Sequence, residues 1–229
     1  MTANESIVLR DIDPEDLSDV VTKIGKSFDL AFDAHTFEGA KTVGDICAIV
    51  SNQINLEHSP DCTSQQAFYK IRQSIATVMS LEKNAIVPDS NLEMLFPRKG
   101  RRHRILRVRK ESGLSLDLLE GDQRLAIILL LGLIGSSIEL LFNWKYGLLW
   151  FGLISVCLHL SQRLGKNFRV KTVGEVATMV ARENYIKSRR NPKTVNRQEV
   201  VEKIRELFAH DLSLEPSSLL LTTSRSNRL

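Results

Sequence analysis

The chain is 229 residues long, with 31 Lys and Arg against 27 Asp and Glu, which is room for one or two small domains beside a short membrane segment. Three cysteines, Cys47, Cys62 and Cys157, have no paired spacing, which suits reduced thiols and argues against a disulfide framework. The net charge of +4 hides a split: residues 1–62 carry 12 acids and 4 bases, a net of −8, which leaves +12 for the rest.

The opening MTANESIVLRDIDPED is acidic and has no apolar core, so no signal peptide is expected. Residues 14–28 read as a helix. Pro14 suits its first turn, Glu15, Asp16 and Asp19 favour its N-terminus, and Leu17, Val20, Val21, Ile24 and Phe28 form its apolar stripe. Leu30 and Phe32 belong to a looped piece. Thr42 opens a second helix, with Asp45 completing a capping box and Val43, Ile46, Cys47, Val50 and Ile54 facing inward. HSPDCTS is a linker. Thr63 and Gln66 make a further capping box, before a helix with Phe68, Ile71, Ile75, Val78 and Met79 on its buried face. Pro88 and Pro97 then break regular structure.

The basic run 98–110 permits a short strand or an interfacial helix. After it comes LAIILLLGLIGSSIELLF, 18 residues with one charge, Glu139, then NWKYG and a second apolar run to Ser161. A helix of 18 residues spans roughly 27 Å, close to a hydrocarbon core of about 30 Å. Trp144, Tyr146 and Trp150 are placed as interfacial anchors. Both runs together are expected to form an antiparallel transmembrane hairpin over 125–161. Arg98, Lys99, Arg101, Arg102, Arg104, Arg107, Arg109 and Lys110 precede it; Arg163, Lys166, Arg169 and Lys171 follow it; its turn offers only Lys145. The positive-inside rule puts both flanks and both termini in the cytoplasm of a bacterial-type inner membrane. Gly132, Gly135, Ser136, Ser137 and Ser155 are expected to pack the two helices together. Glu139 is expected to snorkel towards Lys145, and His159 to be an interfacial or packed residue.

Beyond the hairpin, Thr172 and Glu175 form a capping box, with Val173, Val176, Ala177 and Val180 inward. SRRNPKT is a basic linker. Asn196 caps the last helix, where Val200, Ile204, Leu207 and Phe208 share a face. The fold class is therefore mainly α, a two-helix transmembrane hairpin flanked by small cytoplasmic helical segments. The divisions are 1–56, an acidic helical segment; 63–97, a helix and loop; 98–124, a basic juxtamembrane segment; 125–161, the hairpin; 168–222, a second helical segment; and 223–229, a disordered tail.

One repeat is plain. KTVGDICAIV at 41–50 returns as KTVGEVATMV at 171–180, and each is followed, after a linker, by another helix. The pattern Lys-Thr-Val-Gly-Asp/Glu resembles the start of the last helix of acyl carrier proteins. Val20, Val21, Ile24, Phe28, Asp29 and Leu30 resemble the end of the acidic helix that precedes it there, and 66–92 and 197–220 each resemble that family's first helix and loop. The order of these fragments implies a circularly permuted bundle, with one of the two first-helix-like segments docked on 14–56. Charge favours the C-terminal one: 162–229 carries 14 bases and 7 acids. Proximity favours the other. Aligned on Phe28, the serine that carries phosphopantetheine in that family is replaced by Pro14, which has no hydroxyl. The resemblance therefore implies a carrier-like module without its cofactor.

No GxGxxG, P-loop, HExxH or Cys/His metal spacing is present, and His35, His58, His103, His159 and His210 are scattered. No catalytic residue, cofactor site or metal site is expected, and the chain is not expected to be an enzyme. Arg101, Arg102, Arg104, Arg107 and Arg109 are candidates for contact with lipid headgroups. Nucleic-acid binding is not expected, because the basic run lacks interleaved aromatics. The expected partners are the bilayer, an enzyme acting on acyl chains or envelope lipids, and a second copy of the chain. A structural membrane adaptor and a small transporter or channel subunit using Glu139 stay open beside that reading.

Overall fold

The computed structural model describes residues 8–33, 35–163 and 165–214; the tail expected at 223–229 lies outside them. The chain is mainly helical. After a 3-10 turn at Leu9–Asp11 come α1 (Pro14–Phe28) and α2 (Val43–Gln53), then β1 (Glu57–His58), α3 (Thr63–Met79), α4 (Leu92–Leu95), α5 (Arg101–Ser112) and β2 (Leu119–Glu120). The hairpin helices α6 (Gln123–Phe142) and α7 (Trp144–Arg163) follow. The chain closes with β3 (Asn167–Phe168), α8 (Val173–Glu183), α9 (Tyr185–Ser188), β4 (Thr194–Val195) and α10 (Arg197–Asp211).

Local chemistry explains most helix starts. Pro14 stands at the first position of α1, where its missing N–H costs nothing, and the Asp13 carboxylate accepts from Glu15 N. Both Thr-Val-Gly helices open on complete capping boxes, Thr42 with Asp45 and Thr172 with Glu175. Asn196 Oδ1 accepts from Gln198 N. The box expected at Thr63 does not form. Cys62 holds the cap position, and the Thr63 hydroxyl donates instead to Glu199, 136 residues away. The run 98–110 resolves as helix: Ile105 and Val108 face inward, and Gly100 and Gly113, both at positive φ, bracket α5.

The helices assemble into two three-helix bundles that interleave the chain. In the central bundle α3 is the hub, packing α5 on one side and α8 on the other. In the terminal bundle α10 is the hub, packing α1 and α2. It is thus α10, and not α3, that packs on α1 and α2, and Lys23 of α1 pairs with Asp211 of α10 at 2.9 Å. Within 168–214, α8 belongs to the central core and α10 to the terminal core.

The two bundles share one plan. Both hubs end on a serine in the left-handed region, Ser80 (φ 54°) and Ser213 (φ 51°). The next residue reaches back in each case, Leu81 N to Ala76 O at 3.0 Å and Leu214 N to Ala209 O at 2.8 Å. The start of each Thr-Val-Gly helix is bridged to a short helical piece: Leu92 N donates to Lys171 O at 2.9 Å, and Leu9 N to Lys41 O at 2.8 Å. The second helix of each bundle stops at a left-handed residue, Gly113 or Asp29, followed by Leu114 and Leu116 or by Leu30 and Phe32. The link that follows differs in length. Seven residues separate Asp33 from Lys41, whereas 53 separate Asp117 from Lys171, and those 53 contain the hairpin.

Two crossings join the bundles, and β1 pairs with β4 in parallel to hold them side by side. In the basic linker SRRNPKT, Arg190 to Lys193 are exposed but Arg189 is fully buried. Its guanidinium donates to Thr63 Oγ1 at 2.8 Å, Asp61 O at 3.1 Å, Ser59 O at 3.3 Å and Thr194 Oγ1 at 3.3 Å. Nearby, Ser27 Oγ donates to Arg182 O at 2.7 Å and accepts from Tyr185 N at 3.0 Å, and the Phe28 ring stacks on Tyr185 at 4.9 Å.

Candidate functional site

The feature that no core absorbs is the α6–α7 pair. Asn143 alone joins the two helices. A Cβ on Gly147 would meet Leu140 and one on Gly132 would meet Ile154, so the helices run antiparallel. Ser136 is buried at their contact, its hydroxyl turned back to Leu133 O at 2.8 Å. Gly132 and Ser136 therefore do pack the pair. Gly135 has open space around it, and Ser137 is exposed with its hydroxyl on Leu133 O.

Among the described residues one helix, α6, is long and apolar enough to cross a membrane, and only 6% of its apolar window is buried within the protein. α7 is as long, 20 residues, but less apolar. Among the described residues, most of the exposed large apolar side chains lie on this pair, from Leu125 to Leu160. Trp144, Tyr146 and Trp150 are exposed around the turn. Glu139 is exposed, and no ion pair joins it to Lys145. His159 and Cys157 are exposed on α7.

The base of the pair is a fixed neck. β2 enters α6 and β3 leaves α7, and the two pair antiparallel as Leu119 with Phe168 and Glu120 with Asn167. Gly165 packs against the Glu120–Gly121 backbone so closely that a Cβ there would lie 2.1 Å from Glu120 O. Arg101 locks this neck from the side. It is 1% exposed, donates from Nε to Phe96 O at 2.7 Å, and bonds Lys166 O and both carboxylate oxygens of Glu93. Its guanidinium also lies 4.4 Å from the Phe168 ring centroid. The Arg101 hydrogen bond holds the Glu93 carboxyl below the usual carboxylate range.

This corrects one expected headgroup contact. Arg101 is spent inside the protein, while Arg102, Arg107 and Arg109 are exposed and Arg104 is half-buried. Arg109 pairs with Asp117 at 3.7 Å and Arg104 donates to Lys99 O at 3.0 Å. The signal that separates Arg101 was present in the sequence, since Arg101, Ile105 and Val108 have the i, i+4, i+7 spacing of one helix face. Gly165 and Glu93 carried no such mark; their roles come from segments that meet only in the fold.

Elsewhere, a groove of about 670 Å³ runs beside α1, lined chiefly by Val8, Leu9, Leu17, Val21, Phe37 and Ile46. Pro14 borders it and is exposed. Among the described residues no group of three or more His, Cys, Asp or Glu is placed to hold a metal ion. Cys47 is buried, and burial pushes its thiol up to about 11. No family model, no curated protein and no solved structure matches the chain.

Proposed function

We propose that the chain is a membrane-anchored, non-catalytic docking module made of two acyl-carrier-like bundles, acting with enzymes of acyl-chain or envelope-lipid metabolism. The observation that carries this reading is the neck: a bundle of the same plan as its neighbour holds an apolar helix pair in place of a short loop, and the apolar window of α6 is only 6% buried among the described residues. In this reading α6 and α7 cross an inner membrane as a two-pass hairpin, and both termini and both bundles stay on the cytoplasmic side with the Arg and Lys flanks. Pro14, exposed where a carrier serine would stand, offers no hydroxyl for phosphopantetheine, so the partner supplies the chemistry. The acidic α1, with Glu15, Asp16 and Asp19 exposed beside the apolar groove, is the docking face.

Fractionation and protease protection test the anchor. The chain should stay with alkaline-washed membranes, and a protease site placed at Asn143 should be cut only from the side opposite the bundles. A chain released by the wash sinks the anchor. Intact mass after co-expression with a phosphopantetheinyl transferase tests the carrier assignment, and any adduct overturns it. Binding of a purified membrane acyltransferase, weakened by Glu15→Lys with Asp19→Lys, tests the docking face; undiminished binding removes it.

A further inference from the structure

The two bundles make an internal comparison. α1 and α5 occupy equivalent places, each between a short helical piece bridged to the start of a Thr-Val-Gly helix and a left-handed stop. The outer face of α1 is acidic, with Glu15, Asp16 and Asp19 exposed. The outer face of α5 is basic, with Arg102, Arg107, Arg109 and Lys110 exposed. The shared plan tolerates either sign, so folding does not set it. The bundle with basic α5 is the one that holds the hairpin, and α5 begins at the neck, where Arg101 bonds Lys166 O. Arg107 and Lys110 make no hydrogen bond or ion pair among the described residues. Between these cations Leu106 is 51% exposed, one turn from Arg102, Arg109 and Lys110. A helix face of cations around an outward leucine, next to an apolar helix pair, has the composition of a helix that lies at a lipid surface.

We propose that the outer face of α5, centred on Leu106, Arg107 and Lys110, is a binding site for anionic phospholipid headgroups. The cations take the phosphate and Leu106 enters the acyl boundary. This rests on the anchoring reading and adds a lipid preference to it. Neutral lipids would be held by the hairpin alone, whereas anionic lipids gain the α5 contacts.

The test uses the full chain in a neutral detergent. Its thermal midpoint is followed while a short-chain phosphatidylglycerol, a short-chain phosphatidylcholine or inorganic phosphate is added. Phosphatidylglycerol should stabilise the chain at lower concentration than phosphatidylcholine, and salt should weaken the difference. Arg107→Gln with Lys110→Gln should weaken the phosphatidylglycerol response by about thirtyfold and leave the phosphatidylcholine response unchanged. Arg107→Lys should retain it. No preference in the unsubstituted chain, or equal affinity in the double variant, overturns the proposal. An equal response to phosphate alone also overturns it, assigning the face to free anions. A chain that leaves washed membranes yet prefers phosphatidylglycerol sinks the anchor and keeps this site; an anchored chain without preference sinks this site alone.

Discussion

The Arg189 guanidinium donates to the Thr63 hydroxyl at 2.8 Å, and Thr63 in turn donates to the Glu199 carboxylate at 2.6 Å. The three residues come from the return crossing, the start of α3 and the start of α10, so one hydroxyl joins both bundles. Arg189→Ala would leave the Ser59 and Asp61 carbonyls without their donor and should cost about 3 kcal/mol in chemical unfolding. Arg189→Lys should not rescue it, because one ammonium cannot serve acceptors spread around a planar fork. A double-mutant cycle between Thr63→Val and Glu199→Gln should show coupling of about 1 kcal/mol or more. Simple additivity would mean that the Thr63–Glu199 contact adds nothing to the joint.

The Arg101–Glu93 pair predicts a pH dependence. The folded pKa of Glu93 lies below its ordinary 4.5, chiefly through the Arg101 hydrogen bond. A depressed carboxylate contributes stability above its unfolded pKa and loses it as pH falls through the folded value. Half of the Glu93 side chain is exposed, so solvent screening holds the effect to about 1 kcal/mol or less. Wild type should melt above Glu93→Gln near pH 7, and the gap should narrow as pH falls below the ordinary 4.5 and through the lower folded value. A gap that persists at low pH would assign the difference to packing.

Gly165→Ala should loosen the neck. Its Cβ would meet backbone, which cannot rotate away, so β2 and β3 must part or the hairpin must shift. A loss of about 3 kcal/mol is expected in detergent, with helix content by circular dichroism retained. Gly135→Ala, in open space, is the matched control and should be near neutral.

Thiol labelling separates the three cysteines. Cys62 is exposed and should react with a maleimide at once. Cys47, buried with its thiol raised to about 11, should react only on unfolding. Cys157, exposed on α7, should label in detergent-free unfolded protein and be shielded in vesicles, because a water-soluble maleimide does not enter the hydrocarbon core. Rapid labelling of Cys157 in vesicles would place α7 outside the bilayer.

Much of the architecture was legible because it is local. The Thr42–Asp45 and Thr172–Glu175 boxes close within three residues, the inward stripes of α2, α8 and α10 repeat at helical spacing, and all of them form. The strand-or-helix ambiguity of 98–110 arose because alternating Arg and apolar residues satisfy both periods, and burial of Ile105 and Val108 against α3 decided it. The Thr63 box failed for a different reason: the distant Glu199 carboxylate took the place of the local Gln66 amide.

The sequence by itself determined the helices, most of their caps, the apolar pair and the basic flanks, because the forces that set them act within a few residues. Only the tertiary structure decided that α10 rather than α3 closes on α1 and α2, and that Arg101 and Arg189 leave the basic surface for the interior. Those outcomes depend on which apolar faces and which unpaired carbonyls meet across the chain. Neither spacing nor composition records that.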